Sequence, residues 1–514
     1  MTDIHPHDRT FVEDMIGNLP KAFKRKILKQ YLERLKKSNR KEANLYLLGI
    51  NDQIQNSGIQ PLSQFVLNAD ENDLKALAET TAKKCIEIWG SLKSDQIEIP
   101  YKRIVAFMAR RNIYPSTLKE EPSQAEMLSI IRRSTVKSWW LSNLRRRQNR
   151  DIETAARTFN FIRKNAEKYA SDLNVKRRQW QKKQQDEFLN NMLATNELGD
   201  TFLLSELKAT SVSNPYIRKS ELMVRCRGFE EYAKANDEIA LFITMTCPGK
   251  YHRAHANSGD PIEKWNGSTA KDAQDYLSIT FSRIRTALNR DNIRPYGFRV
   301  AEPHHDGTPH WHLLLFMPKD SEQRLKEIFF HYCFEEDGLE DGADQHRLTI
   351  VKIDPKKGSA TGYIAKYISK NIDGENLLFA NDGENPITTA QRIKTWATVW
   401  GIRQFQQIGG PQVSIWRELR RMTPLEDSES ILERARKAAD HSEWDQYLLV
   451  MGGNDCPRKD RPINLLYKQP VDTFTGALNE NQYGEIKAQS IYGIEHGNVR
   501  INTRPHTWEI SRVS

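Results

Sequence analysis

Apolar residues recur along this chain with two different periods. Phe23–Leu48 and Glu71–Leu92 are amphipathic at helical spacing, with polar breaks at Asn51–Gly58 and Ser94–Pro100, so residues 1–125 read as largely helical. From about residue 240 the texture changes. Ala240–Thr246 (ALFITMT) is a β-rich run closed by Cys247-Pro248-Gly249, and Ala270–Asn289 returns to helical spacing. Tyr296–Glu302 and His310–Met317 read as paired strands around an Asp306-Gly307 turn. Ser321–Phe334 reads as helix, Leu348–Ile353 as strand and Thr361–Ile372 as helix. The resulting order β-α-β-β-α-β-α predicts an α+β domain with an antiparallel sheet of ferredoxin-like or split βαβ type. Beyond Met422, a charged helix at Ser428–Ala439 precedes strand-like runs at Tyr447–Met451, Ile463–Tyr467, Ile486–Tyr492 and Val499–Asn502.

The 514 residues set a prior of roughly three domains, and 38% hydrophobic residues supply enough apolar material for packed cores. No apolar run is long enough to span a bilayer, and the first residues lack a secretory pattern. Five scattered cysteines without a CxxC pair exclude a disulfide framework and a thiolate zinc site. A soluble protein of a reducing compartment, without a membrane partner, is expected. The net charge of +10 is unevenly placed. Ile131–Lys183 holds 16 Lys and Arg against 4 Asp and Glu, with Trp139, Trp140, Phe159 and Phe161 interleaved and no Pro or Gly. A basic helical segment of this kind suits a polyanion such as DNA. Arg132, Arg133, Arg145, Arg146, Arg147, Arg177 and Arg178 are its candidate phosphate contacts.

Two clusters carry candidate chemistry. Side chains alternate along a strand, so His310 and His312 share a face and Trp311 takes the other. A hairpin returns Glu302 beside His310. Two imidazoles and a carboxylate with open positions suit a catalytic divalent ion rather than a closed structural site. His304 and His305 fall in the intervening loop, where one of them could contact DNA or the ion. The second cluster is Tyr363-Ile364-Ala365-Lys366-Tyr367-Ile368-Ser369-Lys370. Its tyrosines are one helical turn apart, and each has a lysine three residues later. A neighbouring cation favours the phenolate, and a phenolate is a nucleophile.

HWH followed by YIAKY resembles the HUH endonucleases, specifically the two-tyrosine initiators of rolling-circle replication. The wider similarity is to the bacteriophage replication gene A protein family. It rests on SNPYIRKSELMVR (213–225), FITMTCPGKYH (242–252), RVAEPHHDGTPHWHLLLFM (299–317), GYIAKYISKNIDG (362–374) and WGIRQFQQIGGPQVSIWRELRR (400–421), and covers about Trp139–Arg421.

The resemblance implies an HUH nuclease fold and dependence on Mg²⁺ or Mn²⁺. It implies metal ligands Glu302, His310 and His312, nucleophiles Tyr363 and Tyr367, and a catalytic lysine at Lys366 or Lys370. The Thr-rich first motif maps to Thr244 and Thr246. The implied activity is nicking and rejoining of one strand at a phage origin through a 5′-phosphotyrosyl intermediate, which starts rolling-circle replication. Single-stranded or supercoiled origin DNA is the expected partner. No phosphate-binding GxxxxGK[ST] loop is present, so a separate host helicase is expected. The expected setting is the bacterial cytoplasm, from a phage or prophage.

The expected organisation is a helical region of unknown role (1–125), a basic helical DNA-binding region (126–200), the HUH endonuclease domain (201–425) and a small C-terminal region (426–514). The alternatives are an HUH transposase or relaxase, a non-catalytic DNA-binding repressor, and a metal hydrolase that uses water. The sequence sets neither the order of the tyrosines nor the oligomeric state.

Overall fold

The computed structural model describes residues 6–17, 19–56, 66–90, 97–115, 119–374, 385–472 and 475–513. The chain divides into two compact units, residues 1–161 with 469–489, and residues 162–468 with 490–514. The division at 161/162 falls inside the expected basic region.

The first unit is helical: α1 Pro6–Ile16, α2 Lys21–Lys37, α3 Arg40–Asn56, α4 Glu71–Gly90, α5 Glu98–Ala109, α6 Gln124–Ser134 and α7 Lys137–Thr158. The expected helix Phe23–Leu48 is two helices, parted at Ser38 and Asn39. Residues 51–56 of the expected break continue α3, and 98–100 open α5. The rest of those two breaks, 57–58 and 94–96, lies outside the described residues, as do 91–92 at the end of the second amphipathic pattern. One face of α7 supplies Trp140 and Leu144 to a core shared with Leu74, Ala78, Ala82 and Cys85 of α4. Segment 469–489 returns to this unit, where Glu485 accepts hydrogen bonds from Ser129 and Arg133, both at 2.5 Å.

Four of the predicted DNA-contacting arginines are engaged by carboxylates here. Arg133 pairs with Glu485, Arg145 with Glu71, Arg147 with Asp151 at 2.8 Å, and Arg132 lies 3.8 Å from Glu480. Arg146 is exposed and has no ion pair among the described residues.

The second unit begins with a non-helical stretch. The basic region is therefore not continuously helical as expected. Helix is lost over 159–171, from the last residues of the first unit into the second, and Asn160 (φ 55°) and Tyr169 (φ 70°) take left-handed conformations there without glycine. The elements that follow are α8 Asp172–Asn190, β1 Met192–Asn196, β2 Thr201–Leu203, α9 Leu204–Ala209, α10 Pro215–Ala235, β3 Ile239–Thr246, α11 Ala270–Arg290, β4 Tyr296–Pro303, β5 Pro309–Met317, α12 Glu322–Cys333, α13 Ala343–His346, β6 Leu348–Lys352 and α14 Ala360–Ile372. The unit continues with α15 Pro386–Trp400, β7 Phe405–Ile408, α16 Val413–Leu419, α17 Ile431–Asp440, α18 Trp444–Val450, β8 Asn464–Lys468, β9 Ser490–His496, β10 Val499–Asn502 and β11 Trp508–Arg512. Arg178 on α8 is exposed without an ion pair among the described residues, while Arg177 is partly covered. The run Tyr447–Met451, read above as a strand, forms most of α18. Its Tyr447 and Leu448 pack inward beside Trp444, a helical pattern too short to distinguish by sequence.

The central sheet is antiparallel, in the order β6-β3-β5-β4-β7. The five strand and helix assignments from Ala240 to Phe334, and those at Leu348 and Thr361, fall within about a residue or two of the observed elements. Alternation along the strands gives the sheet two apolar faces. Trp311, Leu313 and Leu315 face a core closed by α11 and α12. Phe242, Phe298, Val300, Leu314 and Phe316 face a core closed by α10, α14 and α18. Caps fix the helices. Thr269 and Asp272 form a reciprocal capping box at α11, and Ser359 accepts from the Gly362 amide at α14. Gly228 permits the crossing of α10 and α18, because a Cβ there would stand 2.4 Å from that of Trp444.

Two smaller three-stranded sheets, β11-β1-β2 and β10-β9-β8, complete the unit. Among the described residues no helix is long and apolar enough to cross a membrane.

Candidate active site

The β4–β5 hairpin builds the site. Asp306 accepts from the Thr308 amide (2.9 Å) and hydroxyl (2.9 Å) and from the Arg253 amide (2.8 Å), and Gly307 supplies φ 82°. The turn closes with the His304 amide donating to the Thr308 carbonyl at 2.7 Å. Register then sets Glu302 opposite His310, with Thr246 of β3 on its other flank, and Thr244 opposite His312. The three expected ligands come together: one donor atom from each of Glu302, His310 and His312 lies within 4.8 Å of the others.

Their surroundings differ. Glu302 is 1% exposed. Its Oε1 accepts from the Asn371 amide, and its Oε2 accepts from Lys370 Nζ at 3.2 Å and lies 3.8 Å from His312 Nε2. The Asn371 carbonyl oxygen accepts from Gln404 at 2.9 Å. Gln404 and Asn371 therefore form a buried hydrogen-bonded chain that fixes the carboxylate. Neither residue was anticipated, since only the folded chain brings them to Glu302.

His312 Nδ1 is 3.0 Å from the Thr244 hydroxyl, which leaves Nε2 as the nitrogen facing the carboxylate. Thr244, pointed to by the resemblance, is thus an orienting partner. Among the described residues, buried His312 Nε2, His310 Nδ1 and His304 Nε2 have no hydrogen-bond partner. A buried nitrogen left unpaired costs about 1–3 kcal/mol, and a cation with a free coordination position would offset that cost at His310 and His312. The residues present therefore fit a divalent ion held by Glu302 and two neutral imidazoles. His304 packs its ring on His310, with centroids 4.1 Å apart, and is not among the three converging ligands. His305 packs against Tyr169.

Burial keeps the histidines neutral. Desolvation, reinforced by His252, lowers His304 to about 3. Desolvation also lowers His312 to about 4 although Glu302 opposes it, and it drives His310 well below its ordinary range with help from His304 and His312. The folded-state values lie below the unfolded one of 6.5, so between them the unfolded chain binds more protons. This contribution to stability is complete above pH 6.5 and is lost as the pH falls toward about 4. Each histidine can remove up to about 1.4 kcal/mol per pH unit in that window. Thermal unfolding in EDTA should shift to lower temperature between pH 7 and pH 5, and His304→Leu should flatten the slope. A midpoint independent of pH over that range would contradict this account.

Helix α14 brings the tyrosines. Ile364 and Ile368 are buried against the sheet, as their spacing predicts. Tyr367 packs at a tilt on His312, with ring centroids 4.0 Å apart, and stacks on Phe242 at 5.4 Å. Burial raises its pKa, and the negative charge of Glu302 adds to the rise. Tyr363 is 40% exposed at the edge of the same face. The two candidate lysines are also distinct. Lys370 is held against Glu302 and over the Tyr169 ring at 5.6 Å. Burial opposes its charge, but Glu302 together with Tyr169 and Tyr367 outweighs burial and raises the pKa. Lys366 is exposed, and its charge reaches His312.

The family of the bacteriophage replication gene A protein (GPA) matches residues 66–375. The chain is 40% identical to the replication gene A protein of Escherichia phage 186 over 397 residues, 75% of this chain and 56% of that protein. It is 34% identical to the replication gene A protein of Escherichia phage P2 over 442 residues, 82% of this chain and 57% of that protein. A "probable replication endonuclease from prophage-like region" of Salmonella paratyphi A is 30% identical over 488 residues, 87% of this chain and 60% of that protein. The chain spans about half to six-tenths of the length of the curated relatives it matches. No solved structure matches it. The match over residues 66–375, which contains Glu302, both histidines and both tyrosines, places this chain in the bacteriophage replication gene A protein family.

Proposed function

We propose that this protein is an HUH-type endonuclease that nicks and rejoins one DNA strand at a phage replication origin through a phosphotyrosyl ester, and so starts rolling-circle replication. The observation that carries the reading is the meeting of two elements at one point. Glu302, His310 and His312 converge, with imidazole nitrogens that have no hydrogen-bond partner among the described residues, and the ring of Tyr367 from α14 packs on His312. The strand order β6-β3-β5-β4, with the histidines on an inner strand, supports the fold part of the reading. The relatives' names concern replication, which favours an initiator over a transposase or relaxase.

Glu302, His310 and His312 would hold a divalent ion, Mg²⁺ or Mn²⁺, which when bound polarises a phosphate oxygen. Asn371 and Gln404 keep the carboxylate in place, and Thr244 keeps His312 turned so that Nε2 faces it. A tyrosine oxygen attacks phosphorus and the bond from phosphorus to the 3′-oxygen breaks. The phenol gives up a proton and the 3′-oxygen takes one up. One phosphodiester replaces another, so the step is reversible and the strand can be rejoined without a nucleotide. Lys366 and Lys370 add positive charge beside the reacting phosphate. A second tyrosine one turn away can receive the strand in a later transfer. The exposed Arg146 and Arg178 supply backbone contacts. Strand opening falls to a separate helicase of the host, and the reaction takes place in the host cytoplasm.

The test is incubation with labelled single-stranded DNA carrying the origin, with Mg²⁺, with Mn²⁺ or with EDTA. A protein–DNA band that survives denaturant and forms only with metal is expected. Cleavage without such a band would point to water as the nucleophile and overturn the proposal.

A further inference from the structure

The face of the central sheet that carries the histidines holds a second feature, toward its β7 edge. A cavity of about 880 Å³ opens between α10, β4, β7 and the chain that follows β7. Its lining includes five arginines, Arg218, Arg225, Arg403, Arg417 and Arg458, and a single carboxylate, Glu221. Glu221 is committed. It accepts two hydrogen bonds from Arg417, both at 2.7 Å, and lies 3.3 Å from Arg225. Arg218, Arg403 and Arg458 are exposed and have no carboxylate partner among the described residues.

The cations are braced rather than loose. Arg218 lies over the Phe405 ring at 5.3 Å and Arg225 over Phe298 at 5.3 Å, while Arg403 donates to the Phe405 carbonyl at 3.2 Å. Every cation in the lining is arginine, whose planar fork matches phosphate oxygens in pairs. Both aromatic rings are buried, so base stacking is not offered and the backbone of a ligand is the group that can be gripped. Phe298 and Glu302 point to the same side of β4, four residues apart, which places the cavity about 13 Å along the strand from the histidine site. A chain of linked phosphates bound at one could reach the other.

We propose that this arginine cavity is a second DNA-contacting site, which holds backbone phosphates of a single strand a few nucleotides from the phosphate at the histidines. The proposal takes its ligand from the nicking reading, but its test is separable. Binding of a fluorescein-labelled oligothymidylate is measured in EDTA over a range of salt, for the wild-type chain, Arg218→Ala/Arg403→Ala and Arg285→Ala/Arg290→Ala. The last pair removes the same charge from exposed positions on α11, across the sheet. The cavity pair should bind at least about tenfold more weakly, with a salt slope shallower by about 1.4 for two lost phosphate contacts. The control pair should stay within about twofold of wild type. Unfolding midpoints verify that each variant is folded.

Failure of the wild-type chain to bind, unchanged binding by the cavity pair, or equal weakening by both pairs would each overturn the proposal. A cavity-dependent salt slope in a protein that forms no covalent adduct would uphold this site and overturn the nicking reading instead.

Discussion

His310→Ala and His312→Ala are each expected to lower DNA cleavage by at least about a thousandfold, roughly 4 kcal/mol of transition-state stabilisation, with a smaller loss of thermal stability than Trp311→Ala. Two opposing contributions set the stability outcome. Truncating a buried imidazole leaves a cavity, which destabilises. It also removes a buried nitrogen that has no partner among the described residues, His310 Nδ1 or His312 Nε2, which stabilises by about 1–3 kcal/mol. The relief offsets much of the cavity cost, so a net loss of about 1–2 kcal/mol follows for His310→Ala, and about 1 kcal/mol more for His312→Ala, which also loses the Thr244 hydrogen bond. Trp311 between them is the internal contrast. It is 1% exposed on the opposite face, packed in an apolar core with its indole N–H donating to Gln274 at 3.0 Å. Trp311→Ala should cost about 3–5 kcal/mol. Parallel melting curves and cleavage assays of the three variants check this. Strong destabilisation by the histidine variants, with activity falling only in proportion to unfolding, would make HWH a packing motif.

Tyr363→Phe/Tyr367→Phe should abolish covalent attachment to DNA without loss of DNA binding. Phenylalanine retains the ring, so the packing of residue 367 on His312 and Phe242 survives and only the nucleophilic oxygens disappear. The single variants should be unequal. Tyr363 is exposed, whereas Tyr367 is packed among His312, Phe242 and the charge of Glu302, which opposes its ionisation. Equal adduct yields from the two single variants would show that the environment of each ring is irrelevant to attack. An undiminished adduct in the double variant would remove the tyrosines from the mechanism.

The sequence disclosed the parts of this site that depend on local period. Alternation in His310-Trp311-His312, the Asp306-Gly307 turn and the four-residue spacing of the tyrosines each have one geometric meaning, and the folded chain has that geometry. Residues that act through tertiary placement were not visible. Asn371 and Gln404 reach Glu302 from 69 residues away and through a relay, and no spacing announces either. Charge counting also fell short. Arg145 is paired with Glu71, 74 residues away, so a tally over the basic segment could not tell a DNA contact from an ion pair. The helix break at 159–171 was hidden because asparagine and tyrosine, not glycine, take its left-handed turns. The run Tyr447–Met451 reads as a strand because five residues are too few to separate a helical from a strand period.

The central claim is the chemical bond between this chain and DNA, and it can be read directly. Labelled single-stranded DNA carrying the origin is incubated with the protein and Mn²⁺, the complex is denatured and digested with nuclease and protease, and the peptides are mapped by mass. The account predicts a nucleotide joined through its 5′-phosphate to Tyr363 or Tyr367. Attachment at any other residue, or cleaved DNA with no modified peptide, would contradict it.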